Sequence, residues 1–572
     1  MPSSLVNDGH LDAIIIGAGF GGCYLLKNLR KQGFRVRVFE EGHGVGGVWW
    51  HNNYPGARSD TPVPLYEFSD QEIWNEWEWS QEYPGQPEIK RYFEFVDQKW
   101  DLSKDITFGV KVTDASFDPQ TDRWTIRTNT GISASACFFL PAMGFATKLF
   151  TPKLKGLETF QGFSCHTARW PEQSMDLEGK RVGVIGTGAT GVQVIQELGP
   201  KVEQLVVFQR SPNCALPMRQ QAWVAGSRDK TLYPELYRQM KMTFGGFLYD
   251  KVMRKTMGDT AEQRNALYEK LWEMGGFAVT HGNYSDFMTD MEASQAIYEF
   301  WRDKVRQRIL KDDPELIENL APWDPPFPFG TKRPSLEVKF YEVFNQDNVN
   351  LVALKKNQIE EIVPNGVKMA DGTLFELDAL ILATGFDAVT GSFTRLNIKG
   401  LDNKMLNDEW SAGTRTFLGL ATSGFPNMLY MYGPQSPSAW AVGPVISEIQ
   451  SDWIIQTMKY MRESGCTRIE AKPDAERDWA VVVNEECNKT LLPQNMTTWY
   501  MGGNVPGKTR EALNYMGGLP AYQSALAECL DNSWSSFSLS FGEARTQPCK
   551  EAKTESSNSF LGKLLEKLKF LF

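Results

Sequence analysis

The chain has 572 residues, 42% hydrophobic and 23% charged, with a formal net charge of −10. That length exceeds what one hydrophobic core serves, so roughly two to four domains are expected, and the acidic balance argues against nucleic acid as the main partner. No run approaches the ~20 apolar residues of a membrane helix, the opening MPSSLVNDGH has no apolar segment, and none of the 8 cysteines is spaced as CxxC. The expectation is a soluble chain with reduced thiols in the cytoplasm, without a metal site or a dithiol centre.

The first predicted unit is LDAIIIGAGFGGCYLLKNLRKQGFRVRVFE, residues 11–40. Ala13 to Ile16 reads as a buried strand, a helix follows, and a second strand ends at Glu40. Between strand and helix stand Gly17, Gly19 and Gly22 as GxGxxG. The first glycine permits the tight turn, the second lets the backbone approach a pyrophosphate, and the third lets helix and strand pack closely. A carboxylate about 20 residues on can accept from an adenosine ribose. This pattern is the usual arrangement for FAD. The segment GVGGVWW follows, where Gly46 and Gly47 bring backbone amides near a flavin's phosphates or ring and Trp49 joins the cofactor-binding set.

Ala142-Met143-Gly144 reads as a link out of this domain. The stretch FQGFSCHTARWPEQ, Phe160 to Gln173, reads as a loop, broken by Gly162 and Pro171. It holds one of only 5 histidines. A lone loop histidine is more often a hydrogen-bonded structural residue than an acid or base. A second βαβ unit follows, with strands at Val182 to Ile185 and Leu205 to Phe208 and glycines at Gly186, Gly188 and Gly191. Thr187 and Gln193 count with them as cofactor-binding. No acid closes the second strand; Arg210 and Ser211 follow instead. An arginine there pairs with a ribose 2′-phosphate, which a carboxylate would repel, so this unit favours NADPH.

Residues 216–327 read as an inserted helical lobe, because TAEQRNALYEKLWEM and ASQAIYEFWRDKVRQRIL carry apolar residues near the 3.6 period. Strand Ala379 to Leu382 leads into Ala383-Thr384-Gly385-Phe386-Asp387, the second link. The expected architecture is α/β: two dinucleotide-binding, Rossmann-like domains with an inserted helical lobe. The FAD domain takes 1–143 and 386–535, the NADPH domain 144–215 and 328–385, and 536–572 forms a linker and amphipathic tail. In the tail, FLGKLLEKLKFLF sets Leu561, Leu564, Leu565 and Leu568 at helical spacing beside Lys563, Lys567 and Lys569. Packing on the body, a membrane-surface helix and a partner-docking helix all suit that pattern.

Phe160, Gly162, His166, Trp170 and Pro171 stand as F-x-G-x-x-x-H-x-x-x-W-P. This resembles the fingerprint of the Baeyer–Villiger monooxygenases, flavoenzymes that insert one oxygen atom beside a carbonyl. In N- and S-oxygenating flavin monooxygenases the related fingerprint ends in Tyr or Phe. The Trp-Pro ending favours the first family; N- or S-oxygenation is the alternative.

The resemblance runs from about residue 10 to 530. It implies FAD and NADPH as cofactors and a ketone and dioxygen as substrates, with attack on the carbonyl through a flavin peroxide. In NNYPGARSDTP it implies an active-site acid, Asp60. In FGTKRPSLEVKF it implies a catalytic arginine, Arg333, beside Lys332 for the NADPH 2′-phosphate. In TTWYMGGNVPGK it implies that Trp499 contacts the nicotinamide cofactor. His166 and Trp170 would anchor the joint between the nucleotide domains. Met143 and Val48 stand where the family commonly has Thr.

Overall fold

A computed structural model describes residues 11–172 and 175–542. The N-terminal strand Leu11–Ile16 is apolar on both faces, as a strand covered on both sides must be, and Ala13, Ile14 and Ile15 are fully buried. It pairs in parallel with Val36–Phe39 on one side and Ser133–Pro141 on the other. Ser133–Pro141 continues into an antiparallel meander with Arg123–Thr128 and Val112–Asp118. The seventh strand of this sheet comes from far downstream: Asn397–Lys399 pairs with Val112–Asp118.

The second sheet has five parallel strands, in the order Val349–Ala353, Gln204–Gln209, Arg181–Ile185, Ala379–Leu382 and Phe163–His166. Its last member corrects the loop expectation for Phe160 to Gln173. Phe163–His166 is an edge strand, and a short 3-10 turn, Thr167–Arg169, follows it. With Ser164 and Cys165 at its centre, the strand has no apolar alternation to betray it. Its one sheet partner among the described residues, Ala379–Leu382, lies far away in sequence.

Between the halves of the second sheet run the helices Tyr233–Met240, Ala261–Met274, Met291–Arg306 and Pro314–Leu320. Ala261–Met274 opens with a capping box in which Thr260 and Gln263 satisfy each other's backbone N–H. The strands Leu216–Pro217 and Leu336–Glu337 pair and bring the two ends of this region together.

The tail expectation needs correction at its start. Phe537–Phe541 is a strand, antiparallel to Cys466–Ala471, with Phe537 buried. The periodic segment at 560–572 lies outside the described residues. Among the described residues, no helix is long and apolar enough to cross a membrane.

Candidate active site

A cavity of about 400 Å³ opens at the carboxyl edge of the first sheet, walled by Gly17, Gly19, Glu40, Gly47, Trp49 and Asp60, among others. The glycines are there for space. Gly17 has φ +99°, and a Cβ on it would meet the Ala142 carbonyl oxygen at 2.8 Å; one on Gly47 would meet the Gly19 Cα at 3.0 Å. Gly22 lies behind the wall, where a Cβ would strike the Gly17 carbonyl oxygen at 1.8 Å. The helix Phe20–Lys31 starts at Gly19 without a side-chain cap, so its first N–H groups are left for an anion. The Glu40 carboxylate accepts from the Ala18 and Gly42 N–H groups, each at 2.7 Å. Those bonds fix it at the strand end with lone pairs to spare for a ribose diol. The donor set and the cradle fit FAD.

The second unit repeats this geometry. A Cβ on Gly186 would meet the Ala383 carbonyl oxygen at 2.5 Å, and one on Gly191 the Gly186 carbonyl oxygen at 2.2 Å. The helix Ala189–Leu198 starts at Gly188, again uncapped by any side chain. Thr187 Oγ1 donates to the Ser211 carbonyl at 3.1 Å, closing the turn beneath the uncapped helix. Lys332 reaches the same corner, where its Nζ donates to the Pro212 carbonyl at 3.2 Å. Burial, together with the like charges of Arg210 and Lys355, depresses the Lys332 ammonium to about 8. A cationic corner strained in this way fits the 2′-phosphate of NADPH. Gln193 behaves differently from its neighbours. It accepts from the Tyr54 hydroxyl at 2.8 Å, donates to the Arg58 carbonyl at 3.1 Å and lines the first cavity. It therefore ties the second unit's helix to the segment that carries Asp60.

Arg333 and Asp60 meet across 273 residues. Both Nη2 and Nε of Arg333 approach Asp60 Oδ2, at 2.7 and 3.3 Å, while Nη1 donates to the Ala439 carbonyl at 3.3 Å. The guanidinium lies over the Phe277 ring, 4.8 Å from its centroid, in a cation–π contact. Burial alone would lower the arginine's pKa, but the Asp60 carboxylate outweighs it and holds the group above its ordinary value. The Tyr500 phenol, pushed up to about 12 by burial, lies near enough for the Arg333 charge to oppose that rise. A permanent cation thus sits deep in the molecule with close to a third of its side chain accessible. Trp499 stacks on Phe145 (5.5 Å, 10° between planes), and Phe145 stacks in turn on Tyr432 (5.6 Å, 16°). Phe145 and Tyr432 line the first cavity, so Trp499 closes it from behind.

The fingerprint residues tie the edge strand of the second sheet to the link that follows Ala379–Leu382. His166 Nε2 donates to the Gly385 carbonyl at 3.0 Å and Nδ1 accepts from the Ala168 N–H at 3.2 Å, which fixes the tautomer. Burial holds the imidazole below its ordinary value, so it is neutral and pins the second link. A Cβ on Gly162 would meet the Asp378 carbonyl oxygen at 2.4 Å and the Phe160 ring at 2.7 Å. Trp170 is buried, edge-on to Phe163, and the Pro171 carbonyl accepts from Asn53 at 3.4 Å.

Sequence reasoning missed three groups. Arg169, inside the fingerprint, pairs with Glu41 at 3.4 Å, and Glu41 pairs with Arg395 at 3.2 Å, all on the wall of the first cavity. Glu41, directly after Glu40, was the available signal. Tyr66, which accepts from the Trp49 indole at 3.0 Å, and Phe277 under Arg333 carry no motif at all.

A family model described as an NAD(P)-binding Rossmann-like domain matches residues 15–77. The chain is 42% identical over 536 residues to cyclopentanone 1,2-monooxygenase of Comamonas sp. (strain NCIMB 9872), covering 93% of this chain and 96% of that protein. It is 40% identical over 540 residues to acetone monooxygenase (methyl acetate-forming) of Gordonia sp. (strain TY-5), covering 93% and 99%. The crystal structure of the OTEMO complex with FAD and NADP superposes with a TM-score of 0.88 at 35% identity, covering 93% of this chain and 99% of that one.

Proposed function

The chain belongs to the Baeyer–Villiger monooxygenases, and from that premise we propose that Arg333 and Asp60 form the centre at which it converts a ketone and dioxygen into an ester or lactone. FAD and NADPH, when bound, supply hydride transfer and the activation of dioxygen. The observation that carries the assignment is the Arg333–Asp60 pair, set between the cavity that fits FAD and the aromatic side chains of the helical lobe.

The chain's own residues supply position and charge. Gly17, Gly19, Glu40, Gly47 and Trp49 would hold FAD; Gly186, Thr187, Gly188, Arg210, Ser211 and Lys332 would hold NADPH. Arg333 keeps its proton at any working pH. It therefore offers a fixed positive charge to the oxygen of a ketone carbonyl as that oxygen gains negative charge. Asp60 orients the guanidinium from one side and Phe277 supports it from beneath. Trp499, stacked on Phe145, would contact the nicotinamide cofactor when it is bound. The fingerprint supports this centre from a distance by tying the edge strand of the second sheet to the link at Gly385.

The same reading divides the chain into an FAD domain, 1–143 with 386–535, an NADPH domain, 144–215 with 328–385, and the helical lobe between the latter's halves. The strand at 537–541 joins the FAD domain. The basic, apolar pattern of 560–572 supports peripheral contact with a membrane surface, and deletion of 556–572 with a vesicle pelleting assay tests it.

The function is tested by mass spectrometry of products from a ketone panel supplied with NADPH and heavy-isotope dioxygen. One heavy oxygen atom in an ester or lactone is expected. Sulfoxide or N-oxide alone, with every ketone returned, would move the enzyme to the electrophilic flavin monooxygenases. Arg333→Ala should keep FAD and oxidise NADPH yet form no ester.

A further inference from the structure

One titratable group beside Arg333 has no part in the scheme above. His281 ends the short helix Ala278–His281. Its ring packs on Phe247, with centroids 4.4 Å apart, and on Phe277, at 6.1 Å, the ring on which Arg333 rests. On the other side, a Cβ on Gly245 would lie 3.7 Å from His281 Nε2 and 2.2 Å from the Trp440 carbonyl oxygen. Trp440 follows Ala439, the carbonyl partner of Arg333, and packs on Tyr500 at 4.8 Å. His281 thus belongs to the aromatic ring of residues that surrounds the guanidinium.

The tautomer follows from its neighbours. Thr280 Oγ1 donates to the Phe277 carbonyl at 2.9 Å, so its only proton is spent. It lies 3.0 Å from His281 Nδ1 and must accept there, which puts the imidazole proton on Nδ1. Nε2 is then a bare acceptor. It has no hydrogen-bond partner among the described residues, and the His281 side chain is half-buried rather than closed off. Burial, then the charges of Arg333 and Lys251, lower the imidazole to about 4, so the ring is neutral at pH 7 and cannot exchange its acceptor for a donor.

An accessible, unpaired acceptor next to a cation that polarises a carbonyl is half of a recognition site. We propose that His281 Nε2 accepts a hydrogen bond from the substrate, and that this enzyme takes ketones carrying a hydroxyl or N–H donor a few bonds from the carbonyl. This rests on the Baeyer–Villiger reading and narrows its substrate class.

The test compares kcat/KM for a hydroxy-substituted cyclohexanone, its methoxy counterpart and the parent ketone, with ester formation as readout. The native enzyme should favour the hydroxy ketone over the methoxy one by roughly tenfold. His281→Leu should abolish that preference, and His281→Gln, whose amide oxygen can reach the Nε2 position, should restore part of it. A native enzyme that turns over the parent ketone but treats hydroxy and methoxy ketones alike would overturn this inference alone. A preference that survives His281→Leu would do the same. No ester from any of the three would overturn the functional reading, and this inference with it.

Discussion

Replacing Asp60 by Asn removes one negative charge from beside Arg333 and leaves the shape unchanged. Losing one partner of a fully buried ion pair costs about 3–5 kcal/mol, and losing an exposed pair costs about 0–1 kcal/mol. Here the side chains of Arg333 and Asp60 are 31% and 30% accessible, so water replaces part of the lost interaction. The asparagine oxygen keeps a hydrogen bond from the charged Nη2, worth about 1.5 kcal/mol. The balance is a loss of about 2 kcal/mol, or a fall of about 1–2 °C in Tm for a chain this large. The guanidinium, which loses the carboxylate charge that fixes it and keeps only a weaker amide contact beside the Ala439 carbonyl and the Phe277 ring, should lose its single orientation, and ester formation should fall by at least about tenfold. Differential scanning fluorimetry of the purified flavoprotein, with FAD content from absorbance and ester by gas chromatography, reads all three effects. Full FAD occupancy with an unchanged Tm and an unchanged ester rate would refute the idea that Asp60 positions Arg333.

Lys332→Gln should raise the KM for NADPH by roughly tenfold and leave that for NADH within about twofold, since only the former carries a 2′-phosphate; equal effects on both would move Lys332 out of the phosphate corner. The Lys332 ammonium, lowered to about 8, loses its proton as pH rises through that value, so NADPH affinity should fall above pH 8. Bound phosphate raises the lysine's pKa, and binding in that window should therefore take up protons, which calorimetry in buffers of different ionisation enthalpy detects. Gly162→Ala drives a methyl group to 2.4 Å from the Asp378 carbonyl, overpacking that should cost about 1–3 kcal/mol. It should loosen the edge strand and uncouple NADPH oxidation from ester formation; a variant with native Tm and native coupling would remove the strand from the joint.

What could be read from the sequence follows from how local each feature is. Both dinucleotide units were legible because strand, glycines, helix and the closing Glu40 or Arg210 lie within one short βαβ stretch whose geometry is set locally. The Arg333–Asp60 contact spans 273 residues, and only the resemblance of two separate motifs brought it into view. Phe163–His166 escaped notice because four residues with a polar centre carry no period, and the partner that makes them a strand is remote. Phe277 and His281 lie in a lobe recognised only as helical, where nothing local tells a residue of the catalytic pocket from one of the core. The strand at 537–541 was hidden by the polar stretch that follows it.

The order of strands in the second sheet bears on how the chain matures as it is made. Among the described residues Phe163–His166 pairs within its sheet with Ala379–Leu382 alone, and Asn397–Lys399 joins the first sheet from further downstream still. At synthesis rates of about 5–20 residues per second, the fingerprint segment leaves the ribosome on the order of 10–40 s before its partner exists. Through that interval its backbone donors and acceptors await a strand, and the link at Gly385 that His166 will hold has not been made. The signature residues are thus among the last parts of either nucleotide site to take their places. A ribosome stalled between residues 200 and 379 should present a nascent chain whose segment at 163–166 is open to protease, and release of the stall should close it.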